Sequence, residues 1–162
     1  MNRHSFVVAC ALVLVCLAGT AAAENHPACS PAMLRGAWGY TETGSVITPT
    51  GVVVAAAAVG RYEFDRAGNF EGDQNSSANG AVGHDTKQGS YAINPDCTGT
   101  LTLTAYRDGV PQRLSVWAFV IVDGGQEMRA IMTSMTLPNG VALSPIMTMT
   151  ARKVLPGRAN RE

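Results

Sequence analysis

The stretch Asp96-Cys97-Thr98-Gly99-Thr100-Leu101-Thr102-Leu103-Thr104 alternates strictly between two kinds of residue. Threonine occupies every second position from 98 to 104, and Gly99, Leu101 and Leu103 fill the positions between. A period of two built on β-branched threonine is typical of a strand with one buried face. We therefore predict a half-buried strand here, and we use it as the reference for the residues on both sides.

Turn signals divide the rest of the chain into further strands. We predict them at about 36–46, 52–65, 69–74, 87–93, 111–122, 127–137 and 141–154, with the quoted strand continuing to the turn at 107–109. The alanine run at 55–58 leaves a helical turn as an alternative at that point. Residues 75–85 are polar and are predicted to form a mobile loop.

This succession of strands predicts an all-β fold with no convincing helix. Eight antiparallel strands in sequence are the right number to close an up-and-down barrel, which removes the exposed edges of an open sheet. A two-sheet β-sandwich is the alternative, because a sequence does not show whether a sheet closes.

The N-terminus has the features of a signal peptide. Arg3 and His4 precede an apolar run at 6–18, and Ala21-Ala22-Ala23 fits a cleavage site that would remove residues 1–23. We therefore expect a secreted or periplasmic protein with no membrane span after cleavage. The expected organisation of the mature chain is an extended N-terminal lead at 24–35, a barrel domain at 36–154 and a flexible C-terminal tail at 155–162.

Composition excludes some classes of partner. Removing residues 1–23 from the 162 leaves 139 residues, enough for one domain with a sizeable core. The mature chain has 11 basic and 12 acidic side chains, a net charge of −1, and no basic stripe. We therefore expect no nucleic-acid partner.

Two cysteines, Cys29 and Cys97, remain after signal cleavage. An exported chain with two cysteines most simply forms one disulfide, which here would close a loop of 69 residues from 29 to 97 inclusive. A metal site is the weaker interpretation, because neither cysteine has a histidine or a second thiol nearby. We expect no metal and no cofactor.

Several short motifs resemble a pattern in small exported bacterial proteins. They include Gly36-Ala37-Trp38-Gly39-Tyr40 after Cys29, Phe64-Asp65 followed by Gly68-Asn69, Gly89-Ser90-Tyr91, and Asp96-Cys97-Thr98-Gly99-Thr100. The resemblance covers about residues 29–153. It implies a barrel of the calycin type, to which lipocalins belong, or of the allene oxide cyclase and dirigent type. Its motifs are turns, glycines and cysteines, so it implies a fold and transfers no catalytic residue.

Catalytic motifs are absent from the sequence, so whether the protein is an enzyme stays open. His26 and His84 lie in polar segments and are interpreted as solvated loop residues. Arg61 and Glu63 share a strand face: facing outward they are surface charges, which we favour, and facing inward they would form a charged pair in a lumen. Glu42 is a further polar residue on an apolar strand.

Our candidate ligand-binding residues combine polar groups on apolar strands with large apolar side chains. Trp117 is also interpreted as a core residue, and the five methionines from Met128 to Met149 as adaptable packing, with Cu(I) binding as the alternative. The candidates are Tyr40, Arg61, Glu63, Tyr106, Trp117, Arg129 and Met132.

We expect the barrel to bind a small apolar molecule in its lumen, since barrels of this strand number can hold one small ligand. A cofactor-free cyclase or isomerase of the allene oxide cyclase or dirigent type is the first alternative. A structural or interaction protein without a ligand is the second.

The strand at 114–122 is apolar on both faces: Val116, Ala118, Val120 and Val122 alternate with Trp117, Phe119 and Ile121. A barrel wall needs only its inner face to be apolar, so something should cover the outer face. We therefore expect a homo-oligomer, with this strand or the one at 52–59 at the interface. The alternative is a monomer in which the N-terminal lead covers the wall.

Overall fold

A computed structural model describes residues 28–154. The predicted signal peptide at 1–23, the first residues of the lead and the predicted tail at 155–162 lie outside this range. The described chain forms one short helix, eight strands and a single 3-10 turn at Asp123–Gly125. The helix and strands are α1 (Pro31–Leu34), β1 (Gly36–Ile47), β2 (Val53–Phe64), β3 (Asn69–Ala78), β4 (Ala81–Ile93), β5 (Thr98–Arg107), β6 (Val110–Val122), β7 (Glu127–Thr136) and β8 (Ala142–Lys153).

The eight strands close into an antiparallel barrel. Each strand pairs with its neighbours in sequence, and β1 pairs with β8, so that Trp38 lies opposite Lys153 and Ile47 opposite Ser144. Pairing on both sides satisfies the backbone groups that an edge strand would expose. The predicted up-and-down barrel is confirmed, and the sandwich alternative is wrong.

The turn between β3 and β4 corrects the sequence analysis. The predicted mobile loop at 75–85 is wrong, because β3 continues to Ala78 and β4 begins at Ala81. Asn79 and Gly80 form a two-residue hairpin turn in which both have positive φ, 46° and 86°. Asn-Gly is the residue pair that this kind of turn favours. The barrel wall is therefore continuous where a loop was expected.

Alternation along the strands places one face in the lumen. Leu101, Leu103 and Ala105 of β5 are buried, and the threonines at 100 and 102 are exposed, as the reference stretch predicted. The alanine run belongs to β2, so the helical alternative is wrong there. On β6, Trp117, Phe119 and Ile121 face the lumen, and the intervening residues form the outer wall.

Aromatic side chains fill one end of the barrel, where β1 begins and β2 ends. Phe64 and Phe70, which flank the β2–β3 turn, lie opposite each other with ring centroids 5.0 Å apart. Trp38, Tyr62 and Tyr91 pack edge-to-face against Phe64. Edge-to-face and offset pairs add to the free energy gained by burial. We call this the closed end.

A helical turn, α1, covers the closed end. The lead was predicted to be extended, but Pro31 begins a helix of four residues, a position where its missing N–H leaves no bond unmade. Leu34 is fully buried, and its carbonyl accepts a 2.7 Å hydrogen bond from Trp38 Nε1. The hydroxyl of Tyr91 donates to the carbonyl of Pro31 at 3.2 Å.

The disulfide between Cys29 and Cys97 is present, as predicted. It joins the residues just before α1 to the start of β5, with a Cα–Cα distance of 5.0 Å. The backbone N–H of Cys29 also donates to the carbonyl of Pro95. The bond therefore fastens α1 over the closed end.

Candidate ligand-binding site

The other end of the barrel opens into a cavity of about 370 Å³. It lies among the ends of β1, β3, β5 and β7 and the beginnings of β2, β4, β6 and β8. Its volume falls within the usual range for small-molecule sites, about 300–1,000 Å³. We call it the open-end cavity.

One side of the open-end cavity is apolar. β1, β2, β7 and β8 contribute Val46, Val54, Ala56, Met132, Met135 and Met147. Small alanines on β2 leave space opposite the methionines, whose flexible thioether chains adapt to irregular shapes. This side can contact an apolar ligand without leaving polar groups unpaired.

The opposite side of the open-end cavity is polar: Gln74, Arg107 and Arg113 line it, and all three bond to Asp85, whose side chain is fully buried. One of its carboxylate oxygens accepts a 2.9 Å hydrogen bond from Arg107 Nε. The other accepts bonds from both terminal nitrogens of Arg113, each at 3.2 Å, and from Gln74 Nε2 at 3.1 Å. We call Gln74, Asp85, Arg107 and Arg113 the arginine side.

Burial and charge oppose each other at Asp85. Burial alone would raise the pKa of its carboxyl, but the Arg113 charge and the hydrogen bonds from Gln74 and Arg107 outweigh it and hold the pKa below its ordinary value. Asp85 is therefore an anion that holds two guanidinium groups at the cavity wall.

A second polar cluster lies below the cavity, toward the closed end. Lys87 Nζ donates to Glu42 Oε1 at 2.7 Å and to the Tyr62 hydroxyl at 3.1 Å. The ammonium also lies 4.9 Å from the centre of the Tyr40 ring, which stacks on Tyr62 at 4.1 Å. Glu42 reaches the cavity from this cluster, which therefore forms its floor.

Burial is the main cause of the pKa shifts of Lys87, Tyr40 and Tyr62. It lowers the pKa of Lys87, with the negative charge of Glu42 acting in the opposite direction. It raises the pKa of Tyr40 and of Tyr62, and the Glu42 charge adds to both shifts. Both phenols are therefore neutral at physiological pH and act as hydrogen-bonding groups.

Trp117 is the other notable polar group in the lumen. Within residues 28–154, its indole N–H is the one fully buried side-chain polar atom without a hydrogen-bond partner. Trp117 lies opposite Met132 in the β6–β7 pair, and Met132 lines the cavity. An unpaired buried donor costs free energy, so this N–H is suited to donate a hydrogen bond to an acceptor that enters the lumen.

The structure places three of the seven predicted ligand-binding residues inside the barrel. Met132 lines the open-end cavity, and Tyr40 donates to Gln74 Oε1 at 3.4 Å beneath it. Trp117 is part of the buried core.

The other four predicted residues lie on the outer wall. Arg61 and Glu63 pair with each other at 3.2 Å with side chains 61% and 54% exposed, which agrees with the outward interpretation. Arg129 is exposed and bonds to Glu127. Tyr106 alternates with the inward-facing Ala105 and Arg107 and so faces away from the lumen.

Sequence reasoning missed most of the polar lumen. Glu42 was noted as polar on an apolar strand. The sequence analysis predicted no role for the other charged or polar lumen residues, which are Gln74, Asp85, Lys87, Arg107 and Arg113. The alternation of inward and outward residues could have identified them. On β4, every second residue back from the buried Tyr91 faces inward, which includes Lys87 and then Asp85. The same count forward from Phe70 on β3 reaches Gln74.

Among the described residues, no group of three or more His, Cys, Asp or Glu side chains could hold a metal ion. No helix within 28–154 is long and apolar enough to cross a membrane. His84 is exposed near Asn75, and His26 lies outside the described range.

These features define a class of protein, an eight-stranded antiparallel barrel closed at one end and open to a cavity at the other. No protein-family model matches the chain, and no curated protein matches it.

Solved structures match over most of the described barrel. A redesigned beta barrel, mFAP1, bound to DFHBI is 15% identical and has a TM-score of 0.45, and the match covers 76% of this chain and 98% of that one. EF1p2_mFAP2b bound to DFHBI is 12% identical with a TM-score of 0.49, and the match covers 77% and 97%. At these values the matches assign no family and no ligand to this chain.

Proposed function

We propose that this protein is an exported binding protein that takes a small, mainly apolar molecule into the open-end cavity. The observation that carries the proposal is the asymmetry of the lumen: aromatic packing and α1 fill one end, and a cavity of about 370 Å³ occupies the other. A cavity with an apolar side and a few convergent polar groups is the usual form of a small-molecule site. Its strands are paired on both sides, so the site is pre-formed.

Export is part of this proposal. The signal-peptide pattern at 1–23 supports it, and so does the Cys29–Cys97 disulfide, because such bonds persist mainly in oxidising compartments. We also propose that the barrel is of the calycin type, which the resemblance of its short motifs supports.

A fluorescence titration with the neutral apolar dye N-phenyl-1-naphthylamine tests the binding site. We expect saturable binding that Ala56→Phe weakens by about ten-fold, or about 1.4 kcal/mol, by filling the cavity. Ala56 faces Gly44 and Ala78 on the neighbouring strands, so a larger side chain has space there. Ala55→Phe is the matched control, because Ala55 precedes it on β2 and faces outward. Equal binding by the two variants would contradict the proposal.

A cofactor-free cyclase or isomerase of the allene oxide cyclase or dirigent type is the second candidate. The buried floor cluster favours it, because Glu42 and Lys87 could exchange a proton with a bound molecule at the cavity floor. The Arg61–Glu63 pair gives no support, since it lies on the outer wall.

Ligand recovery separates the two candidates. Native mass spectrometry of protein from its source would detect a co-purified molecule, which can be extracted and returned to ligand-free protein. A binding protein leaves its mass and chromatographic retention unchanged. An isomerase converts it to a product of equal mass and different retention, and Glu42→Gln abolishes the conversion.

A further inference from the structure

Around the open-end cavity and its floor, the inward-facing side chains carry one more positive than negative charge. The charged groups there are the acidic Glu42 and Asp85 and the basic Lys87, Arg107 and Arg113. The other charged side chains of β2 and β3, among them Arg61, Glu63 and Asp73, are exposed on the outer wall. On β8 the inward-facing Lys153 lies at the closed end, with its ammonium 5.6 Å from the centre of the Trp38 ring. Glu127 of β7 pairs with the exposed Arg129 and Arg152 on the outer wall.

The excess charge belongs to the arginine side. Lys87 and Glu42 form a one-to-one pair at 2.7 Å below the cavity. Asp85, in contrast, is the single carboxylate between Arg107 and Arg113, at 2.8 Å and 3.2 Å. One unit of positive charge is therefore unbalanced at the polar wall of the cavity.

The guanidinium groups of Arg107 and Arg113 also have N–H donors that Asp85 does not use. A guanidinium has five N–H donors, and within residues 28–154 Asp85 is the only acceptor found for either group. The side chain of Arg113 is 22% exposed and that of Arg107 is 46% exposed, and both line the cavity. Their remaining donors can therefore reach a bound molecule.

We propose that the ligand is an amphipathic monoanion, an apolar molecule with a single acidic group such as a carboxylate. The acid lies against Arg113 and Arg107, where it balances the excess charge and accepts the free donors. The apolar part lies against Val46, Ala56 and the methionines of β7 and β8. This inference rests on the proposed function and names the ligand class of the same cavity.

Decanoate and decan-1-ol test the inference, because they share one alkyl chain and differ in charge. Each competes with N-phenyl-1-naphthylamine at neutral pH and fixed ionic strength. We expect decanoate to bind about ten-fold more tightly or better, as charge-assisted hydrogen bonds in a partly desolvated site should provide. Arg113→Gln should reduce this preference to about three-fold or less while the neutral dye still binds.

Two further variants distinguish a loss of anion binding from a loss of folding in Arg113→Gln. Arg107→Gln changes the more exposed arginine and should also reduce the decanoate preference, with circular dichroism checking the fold. Arg61→Gln, an exposed arginine on the outer wall, should leave the preference unchanged.

The outcomes separate this inference from the function beneath it. Dye binding with equal affinities for decanoate and decan-1-ol overturns the anion inference and leaves the binding function standing. A decanoate preference that survives both arginine substitutions overturns it as well. Absence of binding by the dye, decanoate and decan-1-ol overturns both.

Discussion

The ammonium nitrogen of Lys87 lies 2.7 Å from a carboxylate oxygen of Glu42, although their strands, β4 and β1, are not neighbours in the sheet. The pair therefore crosses the lumen, with both side chains almost completely buried. Two charges that have left water depend on each other, because each offsets the desolvation cost of its partner.

Lys87→Met should therefore destabilise the protein strongly, since it leaves the Glu42 carboxylate buried without its partner. We expect the free energy of unfolding to fall by about 3–5 kcal/mol. The double variant Glu42→Leu/Lys87→Met should recover most of this loss, because no unpaired charge remains. Urea denaturation followed by circular dichroism measures both.

Arg61→Met is the matched control for Lys87→Met, because it also breaks a Lys/Arg–Glu pair. Arg61 and Glu63 are exposed, and such pairs contribute about 1 kcal/mol or less. If Lys87→Met costs no more than Arg61→Met, the buried pair does not have the energetic role assigned to it.

Because of Asp85, we expect the folded protein to lose stability in acid. Its folded-state pKa is lowered, so the carboxylate stabilises the fold fully above its unfolded-state pKa of 3.8. That contribution disappears as the pH falls through the lower folded-state pKa. Asp85→Asn should therefore lower stability at neutral pH and flatten its decline below about pH 4.

Thermal unfolding between neutral pH and about pH 2 measures this effect of Asp85. The matched control is Asp108→Asn in the exposed β5–β6 turn, which should keep the acid decline of the wild type. A decline equally steep in Asp85→Asn would show that other carboxylates determine the acid stability.

The sequence predicts a strand of this barrel well where the inward-facing residues are apolar and poorly where they are polar. Leu101 and Leu103 on β5 alternate with threonines, and the pattern identified that strand and its buried face. On β3 and β4 the inward positions near the open end include the polar residues Gln74, Ser76 and Asp85. A pattern search that requires apolar residues on the inner face reads such a segment as a loop. Because these inward residues are polar, the sequence pattern predicted neither the ends of β3 and β4 nor the polar side of the cavity.

The pairing inside the lumen is beyond single-strand patterns. Lys87 contacts Glu42, 45 residues earlier in the chain, and Asp85 contacts Arg113, 28 residues later. Such contacts depend on strand register and barrel closure, which a single sequence does not supply. Arg61 and Glu63 show the converse: alternation placed them correctly on one face, and the adjacent Tyr62 and Phe64 indicated that this face is the outer one.

The homo-oligomer stays a prediction, and the structure indicates which residues test it. Phe119 faces the lumen, so a charge there would disrupt the core. Val120 on β6 and Ile131 on β7 are exposed, 37% and 53%, on the outer wall. We expect light scattering to detect an oligomer at micromolar concentration that Val120→Lys converts to a monomer with an unchanged circular dichroism spectrum. A monomeric wild-type protein would refute this prediction.

We expect removal of the disulfide to destabilise the closed end of the barrel specifically. Cys29 lies just before α1, and Cys97 lies just before β5, so reduction releases the segment that covers Trp38. The chain-entropy model assigns a closed loop of this length roughly 4 kcal/mol as an upper value.

Cys29→Ser/Cys97→Ser should lower the unfolding midpoint and make Trp38 more accessible to acrylamide. Trp117 provides the internal control, because it is buried at mid-strand on β6 opposite Leu101 and Met132, whereas Trp38 bonds to α1 itself. Quenching is measured in Trp38→Phe and Trp117→Phe backgrounds so that each indole is observed alone. Release of α1 should increase quenching of Trp38 while Trp117 stays protected. An equal increase for both indoles would mean that the disulfide stabilises the barrel globally and does not specifically fasten α1.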